Sequence, residues 1–153
     1  MSADTAYFEK KEAVLQRKNA RFEKAMLSLG ENLFASHGFG ITLKTEKDDA
    51  YFDELKRTYS QVFFADLSAS YDGATLYLRE REDGDAYRYG GMTHKVKKLF
   101  SDRKLSQDEK KRRLLLCDGQ GILWIPGFSV REPREKKTNT IYAYFFMNGG
   151  KDE

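Results

Sequence analysis

The chain has 153 residues, 40% of them hydrophobic, 14% aromatic and 33% charged, and its 27 basic and 24 acidic side chains leave a net charge of +3. That length suffices for one sizeable core, or for one compact domain plus a helical appendage, and the supply of Phe and Tyr argues for a folded chain over a disordered one. A lone cysteine, Cys117, excludes an internal disulfide and a cysteine-based zinc site, and neither a membrane span nor a signal peptide is visible, so the cytoplasm is the expected compartment.

Residues 5–29 contain no Gly or Pro and are rich in good helix formers. Phe8, Leu15, Phe22 and Leu29 recur at a heptad interval and Gly30 offers a C-terminal stop, which predicts one helix with a single apolar face. Residues 1–30 are accordingly read as a helical segment and 31–153 as the domain proper. Phe39-Gly40-Ile41-Thr42-Leu43-Lys44 alternates with period two and predicts a strand; 48–60 is charged and ambiguous; 62–65 reads as a buried strand. Residues 74–81 predict another strand, with Leu76 and Leu78 on one face and Tyr77, Arg79 and Arg81 on the other. A loop containing Gly84, Gly90 and Gly91 then leads to a basic helix from about Thr93, and Ser106-Gln107-Asp108-Glu109 has the capping-box form that opens a second. Residues 114–117 and 122–125 predict a hairpin with a four-residue connection, apolar on both faces and therefore central, and 140–147 a last aromatic strand. The pattern is α+β.

Motifs for catalysis are missing. No phosphate-binding loop, dinucleotide fingerprint, Gly-x-Ser-x-Gly elbow or His-Glu-x-x-His pair occurs, and His37 and His94 have no metal-ligand spacing to each other or to Cys117, so no metal is expected. Asp83 and Asp85 flank Gly84 as turn formers more naturally than as a catalytic carboxylate pair. Trp124, between Leu123 and Ile125, reads as a packed residue and not as a stacking platform. One feature stands apart. Residues 95–113 hold Lys95, Lys97, Lys98, Arg103, Lys104, Lys110, Lys111, Arg112 and Arg113 against Asp102, Asp108 and Glu109. On a helical wheel Val96, Leu99 and Phe100 form a narrow apolar stripe with the lysines away from it, and Arg103 falls on the apolar azimuth, where the helix ends or the arginine stem runs along the core edge. Residues 107–113 contain no apolar side chain at all. Two readings fit: a surface for RNA phosphates, or a solvated helix whose acidic start and basic end complement its dipole.

The stretch Leu76-Tyr77-Leu78-Arg79-Glu80-Arg81-Glu82-Asp83-Gly84-Asp85, then Gly91-Met92-Thr93-His94-Lys95-Val96-Lys97-Lys98-Leu99-Phe100-Ser101-Asp102-Arg103-Lys104, then Leu115-Leu116-Cys117-Asp118-Gly119-Gln120-Gly121-Ile122-Leu123-Trp124-Ile125-Pro126-Gly127, resembles the C-terminal signature of bacterial tRNA(Ile)-lysidine synthases. Family members often have Pro where Leu114 stands. The resemblance implies a fold shared with a domain of phenylalanyl-tRNA synthetase β subunits, an α+β arrangement with a β-sandwich of unusual topology and short basic helices. It also implies a division of labour. In the parent enzyme an N-terminal domain with a Ser-Gly-Gly-x-Asp-Ser loop uses ATP and magnesium to activate the wobble cytidine for attack by lysine, and the C-terminal part contacts the acceptor stem of tRNA(Ile). That loop is absent from this sequence, so no cofactor and no catalytic residue is expected in this chain, and 1–30 would link to the missing catalytic domain. The implied partners are tRNA(Ile), the chain's own N-terminal catalytic domain and, should the domain form a homodimer, a second copy. Candidate tRNA contacts are Lys95, Lys97, Lys98 and Lys104 on the first basic helix, Lys110, Lys111 and Arg112 on the second, and Arg79 and Arg81, unless these two are spent in ion pairs. A module that docks on and orders the catalytic domain or a second subunit, and a free-standing paralogue with another RNA target, are the competing functions.

Overall fold

A computed structural model of the chain describes residues 22–136 and 139–148. Its strands are β1 (Ala25–Met26), β2 (Gly30–Phe34), β3 (Phe39–Lys44), β4 (Gln61–Asp66), β5 (Tyr77–Arg79), β6 (Ala86–Tyr89), β7 (Met92–Lys95), β8 (Leu115–Asp118), β9 (Gly121–Trp124) and β10 (Tyr142–Met147). The helices are α1 (Asp49–Thr58), α2 (Val96–Asp102) and α3 (Gln107–Arg112), with a short 3₁₀ turn at Ala35–His37. The strands form two four-stranded antiparallel sheets, ordered β1-β5-β8-β9 and β2-β3-β10-β4, and a separate β6-β7 hairpin.

Alternation along the strands explains why these sheets stack. Ala143, Phe145 and Met147 of β10 join Ile41, Leu43, Leu78, Leu116, Leu123 and Trp124 in one core cluster between the sheets. The intervening Tyr144 and Phe146 point the other way, onto Leu55 of α1. In β8 the same period sends Leu116 inward and Leu115 and Cys117 outward, where Val96 and Phe100 of α2 and Tyr87 of β6 cover them. The outer faces of the central strands are thus sheltered: α1 packs on the β2-β3-β10-β4 sheet, and α2 with the hairpin on the β1-β5-β8-β9 sheet. The α+β sandwich expected from the sequence is present.

Several local expectations are corrected. The predicted helix does not reach Leu29: Phe22 to Ser28 are not helical, Ala25 and Met26 pair with Leu78 and Tyr77, and the Leu27 amide donates to the Leu76 carbonyl at 2.9 Å. Pairing to β5 together with burial of Phe22 and Leu27 outweighs intrinsic helix propensity, which is a weak prior. The rest of that prediction, including Phe8 and Leu15, lies outside the described residues. The ambiguous segment is α1, capped by Asp48, whose carboxylate accepts from the Tyr51 amide at 3.0 Å. β4 is an edge strand and mostly half-buried, with Ala65 alone fully covered. In the β8-β9 hairpin Asp118 pairs with Gly121, so the connection is two residues long, and β9 lies at the sheet edge, extended by a single bridge from Trp124 to Val130. Leu114 is buried in the intersheet core.

Candidate nucleic-acid interface

Gly90 and Gly91 both have positive φ, +62° and +78°, the geometry of a two-residue turn that joins twisted strands, and they set Tyr89 opposite Met92. Residues 93–95 therefore belong to β7, and the helix expected from about Thr93 starts at Val96, whose amide donates to the Asp85 carbonyl at 3.0 Å. Lys95 ends the strand just before the helix. Val96 and Phe100 are fully buried and Leu99 half-buried, as the wheel predicts, and Lys97 and Lys98 face solvent. Lys98 approaches Asp102 at 3.3 Å, an exposed pair of little energetic weight.

The helix ends at Asp102 in a Schellman turn: the Lys104 amide bonds to Ser101 and the Leu105 amide to Phe100. That closure needs a left-handed residue, and Lys104 takes φ +60° at a position usually given to glycine. Holding an exposed lysine there costs about 1 kcal/mol in backbone strain. Lys104→Gly should accordingly leave the melting temperature unchanged or raise it, and should weaken RNA binding if the side chain meets phosphate; thermal denaturation and a binding titration on one sample read both.

α3 carries both halves of the capping box, Ser106 Oγ accepting from the Glu109 amide at 3.1 Å and Glu109 accepting from the Ser106 amide at 2.8 Å. The Ser106 amide holds the Glu109 carboxyl below its ordinary range. Lys111 is exposed, while Lys110 and Arg112 are half-buried. Arg79 is committed elsewhere: its guanidinium grips Asp85 through two bonds of 2.8 and 2.9 Å, and this partner raises its pKa. Arg81 stands 3.8 Å from Asp83, which is fully exposed. Asp85 also accepts from the Glu82 amide, so it acts as the turn former the sequence suggested.

Two arginines turn inward that the sequence did not mark as such: Arg131, half-buried, and Arg113, which it read only as the end of the basic run. Arg131 makes a bidentate pair with the fully buried Asp118, at 2.7 and 2.9 Å, and also donates to the Ser70 and Ile122 carbonyls. Arg113 is buried between Phe63 and Phe128 and donates to the Pro126 carbonyl at 3.0 Å. Neither position shows an amphipathic signal, because each depends on residues brought in from another element. Among the described residues no group of three or more His, Cys, Asp or Glu side chains is placed to hold a metal ion. No helix among them is long and apolar enough to cross a membrane.

Fold and side chains define the class: an α+β domain whose two antiparallel sheets form a sandwich and whose outer face carries a basic two-helix unit. Residues 76–143 match the family described as the TilS substrate C-terminal domain. The chain is similar to tRNA(Ile)-lysidine synthases: it is 31% identical over 102 residues to that of Clostridium acetobutylicum, covering 65% of this chain and 19% of that protein. It is 33% identical over 67 residues to that of Caldanaerobacter subterraneus subsp. tengcongensis, covering 42% and 14%, and 27% identical over 122 residues to that of Clostridium tetani, covering 77% and 25%. The chain thus spans a quarter or less of the length of these relatives. Its fold is similar to the crystal structure of a TilS C-terminal domain, with a TM-score of 0.54 at 21% identity over 85% of this chain and 98% of that one.

Proposed function

We propose that this chain is the tRNA-recognising part of a tRNA(Ile)-lysidine synthase, a non-catalytic domain that holds tRNA(Ile) by its acceptor stem. A separate domain, supplied with ATP and magnesium, would form lysidine at the wobble cytidine, and the work would take place in the cytoplasm. The observation that carries this reading is the exposure of Lys95, Lys97, Lys98, Lys104 and Lys111 along consecutive elements whose apolar anchors, Val96 and Phe100, fix them on the sandwich. An A-form stem hides its major groove and offers phosphates and 2′-hydroxyls, so a rigid row of cations meets it by shape and charge. Arg79, held by Asp85, is better suited to bracing the loop that precedes the hairpin than to contacting RNA.

Replacing Lys97 and Lys98 by Ala should weaken binding of a tRNA(Ile) transcript and flatten the dependence of log K on log salt by about one for each phosphate that is no longer neutralised, with little change in melting temperature. Lys47 and Lys56 provide a matched control, being exposed lysines near α1 on the opposite outer face. Equal weakening by both pairs of substitutions would reduce the effect to net charge and sink the proposed surface. One observation favours a second reading, docking on a catalytic domain or a second copy: Met26, Leu29 and Leu33 are all about 60% exposed.

A further inference from the structure

Two guanidinium groups flank Phe128, and the charge of a third, Arg112, reaches one of them, Arg113. Arg103, the residue that closes α2, lies over the Phe128 ring at 4.2 Å and donates to the Gly127 carbonyl at 3.1 Å. Arg113 sits 5.9 Å from the same ring and 5.3 Å from that of Phe63, and donates to the neighbouring Pro126 carbonyl. Arg112, between them in sequence at the end of α3, has a buried Nε with no hydrogen-bond partner. None of the three forms an ion pair among the described residues. Glu109 is the acidic group whose field reaches Arg112 and Arg113, and its carboxylate is already engaged by the Ser106 amide.

This arrangement works against folding. A buried N–H without an acceptor loses its hydration and gains nothing in return. Burial lowers the pKa of Arg113, Glu109 raises it, and the charges of Arg103 and Arg112 lower it again, so both neighbouring cations repel the buried Arg113. Half-buried Arg131 shows the stabilising solution, a bidentate carboxylate. At Phe128 that carboxylate is missing, while the three arginines run from exposed (Arg103) through half-buried (Arg112) to fully buried (Arg113).

We propose that Arg103, Arg112 and Arg113 form a seat for one phosphate group, with the half-buried Arg112 donating through its terminal nitrogens and not through the buried Nε, Arg103 completing the site from the solvent side and Arg113 as a fixed charge behind it. A planar guanidinium fork matches the oxyanion geometry of a phosphate, and a neighbouring buried cation strengthens the attraction. The occupant is a backbone phosphate of bound RNA, which rests on the tRNA-recognition reading; free inorganic phosphate has the same chemistry.

The test measures binding of a tRNA(Ile) transcript to the full chain over a range of salt, and melting in phosphate and in chloride at equal ionic strength, for the wild type and Arg112→Gln. Arg112→Gln should bind RNA about tenfold more weakly, the scale of one charge-assisted hydrogen bond. Its salt dependence should be flatter, its melting temperature should equal or exceed that of the wild type because a repulsion and an unmet donor are removed, and it should lose any stabilisation by phosphate. Unchanged affinity and slope, with binding still sensitive to Lys97 and Lys98, would overturn the seat and leave the function standing. A melting temperature several degrees lower would make Arg112 a structural residue and equally overturn it. If the wild type binds no tRNA but is stabilised by phosphate in a way Arg112→Gln is not, the seat stands for free phosphate and the tRNA reading fails.

Discussion

Trp124→Ala should destabilise the fold by about 3–5 kcal/mol, the range for deleting a large buried aromatic. In a domain of this size that lowers the melting temperature by about 10 °C or more. Trp124 is 2% exposed, lies in the cluster between the two sheets beside Leu116 and Leu123, and its indole Nε1 donates to the Phe128 carbonyl at 3.1 Å. Truncation would open a cavity between two sheets already pinned by their own ladders and would leave that carbonyl without its donor. It would also loosen the loop that places Phe128 against Arg103. Thermal and urea denaturation measure the effect; a near-normal melting temperature would mean that the indole does not hold the sheets together.

A loss of similar size, about 3–5 kcal/mol near neutral pH, is expected from Arg131→Met, because it leaves a buried carboxylate unpaired. The Asp118 side chain has no exposed surface, and besides Arg131 it accepts from the Gln120 and Asp72 amides. Burial alone would push its carboxyl up; the Arg131 guanidinium and the two amides outweigh that and hold it below its ordinary value. The sign follows from linkage. A carboxyl depressed in the folded state adds stability that is present above its unfolded pKa, about 3.9, and is lost as the pH falls through the folded value. In Arg131→Met the guanidinium is gone and burial dominates, so protonating Asp118 relieves the fold. The gap between wild type and variant should therefore narrow as the pH falls, starting at the variant's raised folded value, above the ordinary carboxyl value of about 3.9, and continuing down to the wild type's depressed one, as followed by urea denaturation. A gap independent of pH would mean that Arg131 acts through the Ser70 and Ile122 carbonyls alone.

Strands were legible wherever local alternation coincides with two-sided burial. The expectation for β3 matches Phe39–Lys44 residue for residue, and β10 falls within the aromatic run. The capping box at Ser106 and the apolar stripe of α2 were equally readable, since both depend on neighbours within one turn. The β6-β7 hairpin was missed although Gly90-Gly91 is a turn signal, because the flanking strands are four residues each and too polar to stand out. The candidate site was legible as a run of basic residues; which of them are held and which face solvent was not. Arg79 and Lys97 look alike in sequence, yet one is clamped by Asp85 and the other is exposed.

Short-range pattern and residue type were enough for the α+β class, the likeness to the C-terminal region of tRNA(Ile)-lysidine synthases and the place where positive charge concentrates, because each is written in neighbouring residues of the sequence. Long-range packing alone settled that residues 25–26 leave the helical pattern to pair with β5, that Arg131 meets Asp118 and that Arg103 and Arg113 share one aromatic ring. Those outcomes depend on partners brought together only by the fold, where pairing and burial outweigh local propensity.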